Sequence, residues 1–212
     1  MNAISIKALT KKFKEAVVLD NINIDLEAGK VHGLIGRNGS GKTMLMKCIC
    51  GIVPPTSGEI YVNGKRIGKD TDIPKNVGVI IETPGFIPGY SAYNNLKFLA
   101  VLSSRIGRNE IRNAIESVGL DPDDKKHVGK FSLGMRQRLG LAQAIMEDPE
   151  LLILDEPMNG LDKDGVTDMR QYLLDLKAKG KTILIASHSA EDIDVLCDTV
   201  CEMDKGALTV VR

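Results

Sequence analysis

Through the first thirty residues, apolar side chains recur at every second or third position: Ile4 and Ile6, then Val17, Leu19, Ile22, Ile24 and Leu26. Such spacing predicts short, half-buried strands joined by polar turns. Val31-His32-Gly33-Leu34-Ile35 is an apolar run that enters a glycine-rich turn, and 42–50 then reads as a helix. Strands are expected at 59–62 and 65–67, because the intervening Asn63-Gly64 supplies the positive φ angles of a tight hairpin. The continuous β-branched run at 77–81 predicts a buried strand.

From Pro84 the pattern changes. Pro84, Gly85, Pro88 and Gly89 mark a break, and Ser91 is placed to cap a helix running to about residue 102. Ile111, Ala114, Ile115 and Val118 fall at helical spacing and stop at Gly119, and a third helix starts near Ser132 with Met135, Leu139, Ala142 and Met146 on one face. The stretch 84–131 is therefore an all-helical insert in a strand-rich frame. Beyond it come a strand at 151–154, a helix carrying Val166, Met169, Leu173 and Leu176, a strand at 182–186, a short helix from Ala190 and a strand at 199–203. Strands alternating with helices predict an α/β fold with a mainly parallel sheet.

Composition narrows the class. At 212 residues, 43% hydrophobic and 26% charged, the chain is sized and composed as one globular domain with a real core. Lys plus Arg and Asp plus Glu each number 28. Proteins that hold a nucleic-acid backbone carry a basic surplus, so no nucleic-acid partner is expected. The longest apolar runs, such as 151–154, are too short to span a bilayer, and the N-terminus lacks a signal-peptide apolar core, so a soluble chain that stays where it is made is expected. Cys48, Cys50, Cys197 and Cys201 include no C-x-x-C pair and read as small core residues in a reducing compartment.

Chemistry enters with Gly36-Arg37-Asn38-Gly39-Ser40-Gly41-Lys42-Thr43, a G-x-x-x-x-G-K-T phosphate loop between a strand and a helix. Its glycines let successive backbone N–H groups curl around phosphate oxygens, and the helix N-terminus adds a positive dipole. Lys42 would reach the β- and γ-phosphates and Thr43 would ligate Mg²⁺. The apolar strand at 151–154 ends in Asp155-Glu156. In an open parallel sheet these acids would face the phosphate loop, Asp155 suited to hold Mg²⁺ and Glu156 to act as general base on water.

With these motifs the chain resembles the ATPase subunit of an ABC transporter. Phe131-Ser132-Leu133-Gly134-Met135, followed by Arg136-Gln137-Arg138, is similar to the family's signature segment. Asn159-Gly160-Leu161-Asp162 resembles the D-loop, and Ser187-His188-Ser189 the switch histidine. The resemblance runs from about Leu9 to Met203 and implies a P-loop NTPase fold of ABC type. That fold carries an N-terminal antiparallel β-subdomain and a helical subdomain, here at about 84–145, within one domain over 1–212. It implies ATP and Mg²⁺ as cofactors and a head-to-tail dimer, of two copies or of paralogues, in which Ser132 and Gly134 cap the γ-phosphate held by the other chain. A separate integral membrane permease would be the partner, with the subunit at the cytoplasmic face of the membrane. His188 would hold the γ-phosphate and the attacking water, and Phe13 would stack on adenine. Periodicity alone leaves open an ordinary helix N-cap at Ser132, a strand-end histidine at 188 and a core aromatic at 13.

Two positions depart from the family pattern. Glu82 stands where the family carries a glutamine that contacts Mg²⁺ and couples to the permease. Its carboxylate adds a charge and cannot donate a hydrogen bond. Leu133 and Met135 replace the commoner glycine and glutamine. Glu82 with this signature resembles the exporters that protect cells against bacitracin, lantibiotics and related peptides. The loop 82–90 is expected to expose Phe86 and Ile87 to the permease, against the alternative that they fold back on the insert. A non-transport ABC-type assembly or switch factor is the alternative function. The single ATPase half and the 82–132 segment, too short for a long coiled coil, weigh against its translation and DNA-repair forms.

Overall fold

The computed structural model describes residues 1–102 and 106–212; positions 103–105 of the expected insert lie outside them. Instead of several short strands, the N-terminal pattern builds two long ones, β1 (Asn2–Phe13) and β2 (Ala16–Glu27). The third-position spacing comes from bulges. The β1–β2 register shifts between Ile6 and Leu9 and again before Lys11, with Ala8 at φ 49° and Asn21 at φ 47°. β4 (Ser57–Val62) and β5 (Lys65–Arg66) form the expected hairpin, with Asn63 at φ 49° and Gly64 at φ 75°. Together they make an antiparallel sheet of order β2-β1-β4-β5.

The second sheet has the order β10-β9-β3-β8-β7-β6 and is parallel except for its β9–β10 edge. Its strands are β3 (Val31–Ile35), β6 (Val77–Ile80), β7 (Leu151–Asp155), β8 (Thr182–Ala186), β9 (Thr199–Asp204) and β10 (Ala207–Val210). β10 was not anticipated; Lys205 and Gly206, both at positive φ, turn the chain into it. Alternation along the central strands feeds two cores. Leu152, Leu154, Ile183 and Ile185 face the helical insert, while Leu151, Ile153, Leu184 and Ala186 face the antiparallel sheet and helix α1 (Lys42–Ile49).

The insert comprises α2 (Ala92–Ala100), α3 (Arg108–Ser117), a 3₁₀ turn at Val128–Lys130 and α4 (Leu133–Ile145). Ser91 caps α2 as expected, its hydroxyl accepting from Asn94 N. α4 is buried more widely than its predicted stripe, with Gln137, Leu139, Gly140, Leu141, Ala142 and Ala144 all inside. It lies so close to β6 that a Cβ on Gly78 would sit 2.0 Å from Ala144 O. α5 (Lys163–Ala178) and α6 (Ala190–Leu196) complete the chain; on α5, Met169, Leu173 and Leu176 are buried but Val166 only half so. Burial pushes the thiols of Cys48 and Cys201 up to about 11 and those of Cys50 and Cys197 up to about 12, as expected of inert core cysteines. Among the described residues no helix is long and apolar enough to cross a membrane.

Candidate functional site

β3 delivers the chain into a loop pinned against β9. A Cβ on Gly36 (φ 144°) would lie 2.3 Å from Met203 O, so only glycine fits there. Ser40 is tied in by Gly206 N, which donates to its carbonyl at 3.0 Å, and its buried hydroxyl has no hydrogen-bond partner. The Lys42 side chain curls back into the loop, Nζ donating to Gly36 O at 2.6 Å and to Arg37 O at 3.1 Å. α1 begins at Gly41 with no capping side chain and no acidic residue in its first turn. Its leading N–H groups and positive dipole end are thus left for an anion, with the Lys42 ammonium beside them.

In the same first turn of α1, Thr43 Oγ1 donates to Asp155 Oδ2 at 2.7 Å. This joins the phosphate loop to the end of β7. A hydroxyl and a carboxylate are hard oxygen donors of the kind Mg²⁺ takes when phosphates supply its remaining ligands. Among the described residues no group of three or more His, Cys, Asp or Glu side chains is placed to hold a metal ion.

Glu156 sits beyond the strand in a left-handed conformation (φ 49°). Its backbone N donates to Ala186 O at 3.0 Å, while its carbonyl accepts from Gln137 Nε2 and Asn159 N. The carboxylate is thereby aimed at His188. His188 N donates to Oε2 at 3.4 Å; Nε2 lies 3.0 Å from Oε1 but off the line of a hydrogen bond, which leaves Oε1 buried and unpartnered. Burial raises the Glu156 carboxyl above its ordinary range, and the neighbouring His188 pulls the other way. A poised, half-buried carboxylate of this kind suits a general base. Lys42, Thr43, Asp155, Glu156 and His188 line one cleft of ≈ 290 Å³ together with Asn38, Gly39 and Gly41. Val18 and Met44 also line it, and the sequence reading missed both.

Other expected residues stand apart from that cleft. Phe13 is 48% exposed beside the β1–β2 turn, with Lys11 Nζ 4.7 Å from its ring centroid. It is therefore not a core aromatic. Glu82, at φ 60°, does not line that cleft, and its carboxylate accepts a hydrogen bond from Lys47 of α1. Phe86 does not project from its loop as expected but packs half-buried on the large core. Of the two, Ile87 is exposed, and its N–H and C=O are both bonded by the Asn95 side chain.

Ser132 is the N-cap of α4, its Oγ accepting from Met135 N at 3.1 Å, which leaves the hydroxyl proton for another acceptor. Phe131 is buried and Met135 half-buried against the core, while Leu133 is 48% exposed. Leu133 packs on Gly160, and Gly134 approaches Gly160 O, so the signature segment rests on the D-loop of its own chain. Asp162 caps α5 by accepting from Gly165 N at 2.9 Å.

Residues 19–159 match the ABC transporter family. An uncharacterized ABC transporter ATP-binding protein of Bacillus subtilis (strain 168) is 47% identical over 205 residues, covering 97% of this chain and 94% of that protein. A bacitracin transport ATP-binding protein of Enterococcus faecalis is 42% identical over 94% of this chain, which spans 66% of that relative's length. A lantibiotic transport ATP-binding protein of Streptococcus pyogenes is 39% identical, with 99% of this chain and 90% of the relative covered. In fold, the chain superposes on a dimeric ATP-binding cassette in a post-hydrolysis state bound to ADP and Pi, with a TM-score of 0.87 at 21% identity over 99% of both chains.

Proposed function

This chain belongs to the ABC transporter family as an ATP-binding, ATP-hydrolysing cassette, and from that premise we propose that it drives export of an antibiotic peptide through a separate membrane permease. The observation that carries the reading is the convergence of Lys42, Thr43, Asp155, Glu156 and His188 on one cleft at the open end of β3, β7 and β8. ATP enters with its phosphates at the N-terminus of α1. Lys42 exchanges its two carbonyl partners for phosphate oxygens, a charge-assisted contact stronger than the one it leaves. Thr43 and Asp155 would hold Mg²⁺, which would neutralise phosphate charge when bound. Glu156 takes the proton of the attacking water, and His188 beside it orients that water and the γ-phosphate. Phe13 offers its free face to adenine.

In this reading a second subunit closes the γ-phosphate side of the cleft. In the proposed dimer, Ser132 donates its spare hydroxyl proton, and the N-terminus of α4 its dipole, to the γ-phosphate held by the other copy. The subunit then works from the cytoplasmic face of the membrane, docked on its permease near the loop that follows β6. Relatives named for bacitracin and lantibiotic transport support a peptide antibiotic as cargo.

The test is a susceptibility assay in a sensitive bacterium expressing the chain together with a candidate membrane permease. Resistance to bacitracin or a lantibiotic that rises with the parent pair and vanishes with Glu156→Gln supports the reading. Unchanged susceptibility, with both proteins present in the membrane, overturns the cargo.

A further inference from the structure

The segment that carries His188 lies between β8 and α6 and is held in place by side chains. Ser187 Oγ donates to Asp192 Oδ2 at 2.9 Å and accepts from Ser189 N at 3.1 Å. Ser189 Oγ accepts in turn from Asp192 N at 3.2 Å. Both chain neighbours of His188 are thus tied to one residue of α6. Asp192 is only 2% exposed, a costly place for a charge without a partner. Its other oxygen, Oδ1, takes Nε and Nη2 of Arg170 at 2.7 and 2.6 Å. Arg170 reaches across from α5 with its side chain 14% exposed, and Glu191 covers it from the solvent side at 2.8 Å. Neither Arg170 nor Asp192 lines the cleft that holds Lys42 and Thr43, but both line, with Glu156 and His188, a neighbouring cavity of ≈ 690 Å³.

A buried ion pair contributes little to stability compared with apolar residues of the same volume, so packing alone gives weak reason for this one. What it does hold is geometry. His188 meets Glu156 through contacts of 3.0 and 3.4 Å, and those distances depend on the path of 187–189. We propose that Arg170 and Asp192 are positioning residues for hydrolysis, acting through Ser187 to fix the loop that aims His188 at Glu156. The inference rests on the roles proposed above for His188 and Glu156. A displacement of about 1 Å at a reacting group can cost on the order of a hundredfold in rate, which is the leverage such a network has.

The test is steady-state hydrolysis and MgATP binding by the full chain. Ser187→Ala deletes the link but keeps the Arg170–Asp192 pair, so it retains the fold. Its kcat is expected to fall by about tenfold or more while ATP affinity stays within about threefold. Ser187→Thr, which keeps the hydroxyl, restores the rate, and Asp192→Asn behaves like Ser187→Ala. His188→Ala separates this inference from the reading beneath it. If His188→Ala is slow but Ser187→Ala turns over like the parent, the positioning role is overturned and the role of His188 stands. If His188→Ala hydrolyses at the parent rate, both fall together. Equal losses of affinity and kcat in Ser187→Ala, or no rescue by Ser187→Thr, would show a fold staple instead.

Discussion

Lys47 Nζ lies 2.6 Å from Glu82 Oε1, an ion pair that fastens helix α1 to the loop leaving β6. α1 carries the phosphate loop at its N-terminus, and the loop after β6 leads into the helical insert, so this bond bridges the nucleotide site and the insert. Glu82 holds a left-handed φ of 60°, a conformation few non-glycine residues adopt, and its carboxylate is bonded to Lys47.

The first prediction follows from exposure. The Glu82 side chain is 64% exposed, so the pair stabilises the fold by less than about 1 kcal/mol. Glu82→Ala should leave the melting temperature nearly unchanged and MgATP affinity within a few fold, because Lys42, Thr43 and Asp155 still hold the nucleotide. Permease-stimulated hydrolysis should fall, since the joint loses its tether. Glu82→Gln keeps the shape without the charge; full activity in that variant would mean that a neutral hydrogen bond to Lys47 suffices. Parent-like transport by both variants would make Glu82 a bystander.

Lys42→Ala removes the ammonium at the centre of the loop. A charge-assisted hydrogen bond to phosphate contributes about 1.5–3 kcal/mol, or about ten- to a hundredfold in affinity. Isothermal calorimetry with MgATP should show that loss, and undiminished binding would remove the phosphate-loop assignment.

Glu156 yields two measurements. Glu156→Gln keeps the shape but cannot take a proton, so it should bind ATP, stop turnover and accumulate an ATP-bound dimer on gel filtration. The pH dependence has a definite sign. Burial raises this carboxyl, so in the window above its ordinary range the folded chain holds a proton that the unfolded chain has released. Stability from this group is therefore present at low pH and lost as pH rises through that window. Turnover, which under the proposed general-base role needs the carboxylate, should rise through the same window. Thermal melts of parent and Glu156→Gln across a pH series should differ there, the variant lacking this loss.

Periodicity revealed much of this fold because the central strands obey it strictly. β7 and β8 alternate between two cores, and β8 falls at its expected bounds. The phosphate loop was equally legible, since glycine spacing and an adjacent strand and helix define it locally. What the sequence hid is set by tertiary approach. Bulges at Ala8 and Asn21 turned apparent short strands into long ones. Residues far apart in the chain chose each other in the Lys47–Glu82, Gln137–Glu156 and Arg170–Asp192 pairs. The inward turn of Phe86 belongs to the same class, because nothing in Pro-Gly-Phe-Ile says which of two apolar residues finds the core. β10 could have been found: Lys205-Gly206 followed by Leu208 and Val210 is a hairpin signal.

The last prediction concerns Leu133 and Gly160, where an unusual signature residue meets the D-loop. Gly160 has φ 78°, and a Cβ there would come within 2.4 Å of Leu133 Cγ. Gly160→Ala therefore carries two penalties: a left-handed backbone that costs about 1–2 kcal/mol for a residue with a Cβ, and a displaced Leu133. Leu133→Gly, which restores the commoner family residue, removes the obstacle. The two changes should be non-additive, the double variant being more stable than the sum of the singles by at least about 0.5 kcal/mol in a urea-unfolding cycle. In a Glu156→Gln background, where the dimer accumulates, Gly160→Ala should also weaken ATP-dependent dimerisation, because the displaced Leu133 lies on the exposed rim beside Ser132. ATP affinity of the monomer should not move, since neither residue lines the nucleotide cleft. Strict additivity would mean that Leu133 swings aside without cost, and dimerisation equal to the parent's would separate the signature–D-loop contact from assembly.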